Sequence, residues 1–474
     1  MSEFKTNKIS PRKGTTTTIG DSGDTIATSS GTTLDIQGTY SGINAISWDT
    51  TAKTADFTAE ANRGYFINTT SGGVTITLPA SPTAGSFIGI KDYALTAQTN
   101  NISIAPNGNK IQGSTDTHVI NTEGGAANLV YVDSTQGWLT FDAAQASDIA
   151  QVALFTTATG GTVTTCGDYK IHTFTSPGTF CVSQIGNGPT NPAGGPSDVD
   201  YMVVAGGGGA GGNAAGGAGG FRESSGASSG CYSTSPLGNC VSALPISATA
   251  YPITVGAGGS GSGGNAPNGS DSVFSTITSA GGGGVQNVCT APYGVPGNRI
   301  KQGQPGGSGG GIVVKLNIVP TRAGGSGNTP PVSPPQGNNG GSGPGPIPSG
   351  GTGGGSGGGG ATAAGTATGG PYVGPGRAGG AGATTSISGS STAYAGGGGG
   401  GGRNDDQPGS GTQPGGSGGT GGGGPGGSAR PTTAGSNGST NTGGGAGGGG
   451  SQDGCSQPGG SGGSGIVIIR YKYQ

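Results

Sequence analysis

The sequence predicts an all-β chain: an N-terminal trimeric β shaft and β-sandwich modules, followed by a Gly-rich domain built as a sandwich of polyglycine helices. Three observations predict it. No stretch keeps a 3.6-residue apolar period. Residues 64–141 hold short β-prone runs divided by turn chemistry. Glycine is then concentrated, since 24 of the 116 precede residue 201 and the other 92 fall in residues 201–474, about one in three.

Residues 14–42, "GTTTTIGDSGDTIATSSGTTLDIQGTYSG", carry weak alternating pairs and too few apolar side chains to fold alone. Strands wound around a threefold axis, each chain borrowing its neighbours' side chains, make sense of them. The runs "YFINTT", "VTITLPA", "FIGIKDYA", "NISIAP", "HVINT", "NLVYVD" and "WLTFD" come at sandwich-like spacing. Val74, Ile76 and Leu78 alternate onto one face, and the expected core is Phe66, Ile76, Ile90, Ile104, Tyr131, Trp138 and Phe141. In "DYKIHTFTSPGTFCVSQIG" the Ser176-Pro177-Gly178 turn predicts a hairpin. The expected division is an attachment arm and Thr/Gly shaft over 1–50, a β-sandwich module over 51–147, a short β module over 148–204 and the Gly-rich domain over 205–474.

That last domain has almost no core. Between residues 320 and 465 the large apolar side chains reduce to Val332, Ile347, Tyr372, Val373, Ile387 and Tyr394. Burying so few cannot offset a backbone ordering entropy of roughly 1–2 kcal/mol per residue. Collagen is excluded because runs such as Gly396–Gly402 keep no every-third-residue register. The same left-handed three-residue helix leaves its N–H and C=O groups free for neighbours. Helices touching only through glycine can therefore bond backbone to backbone. Polar clusters such as "RNDDQPGSGTQPGG" then read as reversals. The apolar runs 201–204 and 466–469 bracket the region and are expected to pair, with strand 466–474 closing the domain. A flexible Gly/Ser linker is the competing reading.

Composition excludes several function classes. There are 19 basic and 21 acidic residues, and only 8% of the chain is charged, so no polybasic surface for nucleic acid or anionic membranes is expected. The N-terminal "MSEFKTNKISPRKG" lacks the apolar stretch of a signal peptide, and no run is long enough to span a bilayer. His118 and His172 read as satisfied sheet residues, and the four glutamates form no acid pair, so no catalytic residue and no cofactor is expected. The segments "GDSGD" (20–24) and "RNDD" (403–406) lack the ligand count of a calcium loop and read as turns, so no metal is expected. Of six cysteines, Cys166 with Cys181 and Cys231 with Cys240 make the most local pairs, leaving Cys289 and Cys455. Free thiols are the alternative for a chain assembled in a reducing cytoplasm.

The segments "VDYMVVAGGGGAGGNAAGGAGGFR", "YPITVGAGGSG" and the terminal "GGSGIVIIRYKYQ" together resemble the glycine-rich tail-fibre proteins of phages, marine ones especially. The Gly-run-and-loop region also resembles the polyglycine-sandwich tip adhesins of tailed phages. The stretch "GVTITLPASPTAGSFIGIKDYA…NLVYVDSTQGWLTF" is similar to a β module of phage fibres and head fibres. In one respect the chain departs from the tip adhesins, which sit on a separate fibre, whereas here a β shaft precedes the Gly-rich part. The resemblance implies a virion structural role, a homotrimer, attachment to other virion proteins through the N-terminal region, and recognition of a host glycan or outer-membrane protein. A capsid head fibre, a glycan-depolymerising tailspike and an ice-binding or matrix protein are the rival readings. Recognition is expected on the reversal loops, at Tyr372, Arg377, Tyr394, Arg403, Asn404, Asp405, Asp406, Gln407 and Arg430, where rings and polar heads suit sugars or charged loops.

Overall fold

The computed structural model describes residues 47–141, 150–188, 194–230, 232–289, 299–313, 322–343, 353–368, 373–404, 411–453 and 455–474. The shaft expected over 1–50 lies, but for its last four residues, outside them. The chain divides into two compact units, Met1–Gln151 and Val152–Gln474.

The first unit consists of β1 (Ser47–Lys53), β2 (Phe57–Thr58), β3 (Arg63–Ile67), β4 (Val74–Thr77), β5 (Phe87–Asp92), β6 (Ile102–Ala105), β7 (His118–Ile120), β8 (Ala126–Asp133), β9 (Gly137–Thr140) and β10 (Ala150–Gln151). One sheet runs β1-β3-β5-β8-β9 and the other β10-β7-β6-β4-β2. Through β6 the chain alternates between sheets and pairs in parallel, so it winds as stacked coils. Antiparallel β7, β8 and β9 complete the sheets. Between them lie Ile67, Ile76, Leu78, Ile88, Ile90, Ile104 and Trp138, all within 1% of full burial. Two expected core members are corrected. Tyr65 and Ile67 point inward, so the pleat turns Phe66 outward, where it packs on Trp48 with ring centroids 4.9 Å apart. Phe141 is 59% exposed just past the end of β9.

The main sheets of the second unit use β11 (Thr157–Thr159), β12 (Thr162–Cys166), β13 (Tyr169–Phe174), β14 (Gly178–Gln184), β15 (Asp198–Val204), β16 (Phe221–Glu223), β17 (Leu244–Pro245), β18 (Ala250–Thr254), β19 (Ser272–Phe274), β20 (Ile277–Ser279) and a terminal strand (Ile466–Lys472), and shorter strands lie in the Gly-rich region. Sheets β12-β13-terminal-β15-β16 and β11-β14-β18-β19-β20 face each other. The expected hairpin at Ser176–Gly178 is a crossing between these sheets instead. β13 pairs with the terminal strand and β14 with β18. Phe174 and Phe180 both enter the layer between the sheets, which a flat hairpin would not permit. Residues 152–204 thereby belong to the same compact unit as the Gly-rich region.

The bracketing strands do pair. β15 and the terminal strand are antiparallel neighbours, with Tyr201 opposite Ile469 and Val204 opposite Ile466. Tyr201, Val203, Val467, Ile469 and Tyr471 fill the sandwich. Met202, Val204, Ile466 and Ile468 fill a second cluster with Phe221, Ala361, Ile387 and Tyr394. Burial on both faces explains the unbroken apolar runs, and each such side chain contributes about 1.5–3 kcal/mol.

Beyond this sheet the Gly-rich region is a lattice of extended segments, best seen at Gly396–Gly402. The N–H groups of Gly396, Gly399 and Gly402 donate to the carbonyls of Gly421, Gly424 and Gly427 at 2.8–3.0 Å. Those of Gly397 and Gly400 donate to Gly380 and Arg377, and those of Gly398 and Gly401 to Gly216 and Asn213. The carbonyls accept from Gly416 and Gly419, from Gly355 and Gly358, and from Gly445, Gly448 and Ser451. Partners recur every third residue, the period of the left-handed extended helix. Six segments surround this one, and every one of its backbone polar groups is paired. Residues 206–210 show the same rule, with bonds from Gly206 to Ser270, Gly207 to Gly463, Gly209 to Pro267 and Ala210 to Gly460. None of the glycines 396–402 has positive φ. Their role is steric, because a Cβ on any of them would overlap a neighbouring carbonyl oxygen.

Two outcomes are expected. Gly398→Ala forces a methyl onto the Ala446 carbonyl and should cost about 3 kcal/mol or more, whereas Gly263→Ala, with open space at its Cβ, should stay within about 0.5 kcal/mol in denaturant titrations. Deleting residues 466–474 should make residues 205–465 protease-sensitive while 47–141 keeps its resistance. Equal resistance of both regions would refute the terminal strand as the closing element.

Candidate functional site

The hydrogen-bond registers give the lattice two ends. At one, Ala395, Ala361 and Phe221 meet the sheet of the terminal strand. The other end is polar. There Val373–Gly374, Arg403–Asn404, Ser451–Gln452 and Cys455–Ser456 form a small four-stranded sheet. Helices ending here lose lattice partners for their last backbone groups, which long polar side chains can satisfy. Asn213, buried, donates to the carbonyls of Gly402 at 3.2 Å and Gly449 at 2.9 Å and accepts from Ser456 Oγ at 3.1 Å.

This end also gathers cations. Arg377 is placed by its N–H to Gly355 at 3.0 Å and its carbonyl from Gly400 at 2.8 Å. Arg430 follows Ala429, which exchanges both backbone bonds with Gln413. Lys301 pairs with Val313 and donates Nζ to the Gly263 carbonyl at 3.0 Å. Arg322 donates Nη1 to Gln302 Oε1 at 3.2 Å, and its own carbonyl accepts from Gly343. Sequence reading missed Lys301 and Arg322, because only the registers bring them to the same end of the lattice as Arg377, Arg403 and Arg430.

The expected recognition set is thus partly assembled and partly corrected. Arg377 and Arg430 lie half-buried at the polar end. Arg403 is 5% exposed and Asn404 fully buried, so both fasten this end rather than face outward; Asn404 Nδ2 donates to the Gly411 carbonyl at 3.3 Å. Tyr394 is misplaced altogether. It pairs with Ala383 in a short hairpin at the opposite end, across seven glycines that rise roughly 20 Å at ~3.1 Å per residue. At 5% exposure it packs into the apolar cluster and offers no ring face. Tyr372, Asp405, Asp406 and Gln407 lie outside the described residues, as do the calcium-like stretches except Arg403 and Asn404.

The expected Cys166–Cys181 bridge is absent, since both are exposed free thiols on strands of different sheets. Cys240 and Cys455 are also free and exposed. Cys231 and the side chain of Cys289 lie outside the described residues. Both histidines are buried with partners: His118 Nδ1 lies 3.1 Å from the Asp116 carbonyl, and His172 bridges the Gly160 carbonyl at 2.7 Å and the Tyr471 hydroxyl at 3.1 Å.

A buried polar cluster beside the terminal strand had no signal in the sequence. Asp200 accepts from the hydroxyls of Ser224 and Ser229 at 2.6 and 2.7 Å and from three backbone N–H groups. Arg470, opposite Asp200 in register, is sandwiched between the rings of Tyr169 and Tyr232 at 4.8 and 5.2 Å. Glu223 accepts from Ser235 N–H at 2.9 Å and from the Thr385 hydroxyl. Burial pushes its carboxyl above the ordinary 4.5, and the nearby Asp200 charge adds to the rise.

With a raised folded-state pKa, the folded chain holds the Glu223 proton where the unfolded chain has released it. Stability from this group is therefore present below pH 4.5 and lost as pH rises through the folded value. Denaturation midpoints of wild type relative to Glu223→Gln should fall as pH is raised from 4 to 8. A pH-independent difference would contradict the assignment.

A family model described as a glycine-rich domain matches residues 186–472. No curated protein matches the chain.

Proposed function

We propose, for a chain that belongs to the glycine-rich domain family, the role of a virion fibre protein of phage type whose Gly-rich unit contacts the host cell surface. One observation carries this reading: a lattice with bare glycine at its contacts collects Lys301, Arg322, Arg377 and Arg430 at the end remote from its closing sheet. Glycine faces offer neither charge nor ring for recognition. Their value is rigidity, since a segment bonded on six sides holds the backbone of its terminal residues in place, which lowers the ordering cost of binding. Guanidinium groups at such an end pair with carboxylate, phosphate or sulfate on a cell surface.

The remaining parts of the proposal are a homotrimer formed through the N-terminal region, attachment there to other virion proteins, and a location on the particle. The resemblance of residues 64–474 to fibre proteins supports these parts.

Replacing Arg377 and Arg430 together by Ala should lower adsorption to host cells at least roughly ten-fold, by the loss of one or two charge-assisted contacts. Protease resistance of 152–474 should persist, because the lattice bonds at these positions, Arg377 with Gly355 and Gly400 and Ala429 with Gln413, run through the backbone and survive truncation to Ala. Unchanged adsorption of this variant would favour a head-fibre role, in which the lattice end need not touch a receptor.

A further inference from the structure

At the other end of the same unit, where β15 begins, an open cleft of about 390 Å³ lies between two loop segments. Its floor is Pro196 and Asp198; Ser225 and Ser228 line one wall, and Val241 and Ser242 the other. The walls are tied together by Ser225 N–H donating to the Val241 carbonyl at 2.8 Å. Buried Asp200 fixes the first wall, holding the N–H groups of Gly226, Ser228 and Ser229 at 2.6–3.2 Å. Burying a carboxylate is expensive unless it is fully bonded. Here the bonding fixes the turn 224–229, which forms one wall of the cleft. Ser228 Oγ donates to the Asp198 carbonyl at 2.9 Å, which leaves its oxygen free to accept.

We propose that this cleft binds one neutral sugar residue. Its volume falls in the range of about 300–1,000 Å³ typical of small-molecule sites. The Asp198 carboxylate accepts from ligand hydroxyls in charge-assisted bonds, and the serine hydroxyls both donate and accept. Pro196 and Val241 supply aliphatic surface for the C–H face of a pyranose. One carboxylate falls short of the ligand set of calcium. The same carboxylate repels an anionic sugar. This site is separate from the cationic end and does not depend on the fibre reading.

The test is saturation-transfer NMR on the full chain with glucose, galactose, N-acetylglucosamine and glucuronate. Transfer is expected to at least one neutral sugar and to be weaker for glucuronate. Asp198→Ala should weaken binding roughly ten-fold or more, the loss of a hydrogen bond to a charged group. Ser242→Ala, on the exposed wall, should weaken it several-fold without changing the melting temperature. If Asp198→Ala does not fold, Ser242→Ala decides alone. Arg377→Ala with Arg430→Ala should leave sugar binding unchanged even if it abolishes adsorption. Absence of transfer from all three neutral sugars, stronger binding of glucuronate, or binding left unweakened by Ser242→Ala would overturn the site.

Discussion

In the Gly-rich unit, backbone N–H and C=O groups carry the cohesion that side chains carry in an ordinary core, and they do so only where no Cβ intervenes. The three-residue helix turns its polar groups outward, so an isolated one would leave every group to water. Packed on six sides, Gly396–Gly402 leaves none unpaired. Each bond adds on the order of 1 kcal/mol net, and the lattice accumulates them over many residues. The same rule forces the composition. A single methyl at an internal contact collides with a carbonyl oxygen, so the segments must be glycine where they touch and can carry side chains only at ends and outer faces.

A lattice bonded in this way has no hydrophobic edge to anchor it, and the two-faced sheet supplies one. β15 leads directly into the first glycine segment, and the terminal strand follows the last. Their pairing closes a loop of more than 250 residues with side chains buried on both faces. One face serves a conventional sandwich, the other caps the lattice through Phe221, Ile387 and Tyr394. Asp200 and Arg470 stand opposite each other in this pairing, so the buried polar cluster depends on the same register. A one-residue slip would exchange the two apolar sets and separate the charges.

The two ends of the lattice follow from this asymmetry. Where the helices run into the sheet of the terminal strand, aromatic and aliphatic side chains gather; where they meet the small four-stranded sheet, Asn213 bonds lattice carbonyls and the arginines collect. Residues distant in sequence reach one place because each extended segment crosses the lattice, and its register sets where its ends fall.

From the sequence alone came the all-β class, the backbone-bonded glycine region and the pairing of 201–204 with 466–469. Those features depend on local conformational preference and on apolar runs, both written residue by residue. The glycine contacts were also legible, as a composition suited to a backbone-bonded lattice, with a flexible linker as the competing reading. Tertiary structure alone decided the rest. Parallel coiling of β1–β6 depends on long-range order, which alternation cannot encode. Tyr394 and the arginines look alike in sequence as punctuation between glycine runs, yet they lie at opposite ends of the lattice. Which end a residue reaches depends on the direction in which its helix traverses the bundle, and a run of identical glycines carries no record of direction.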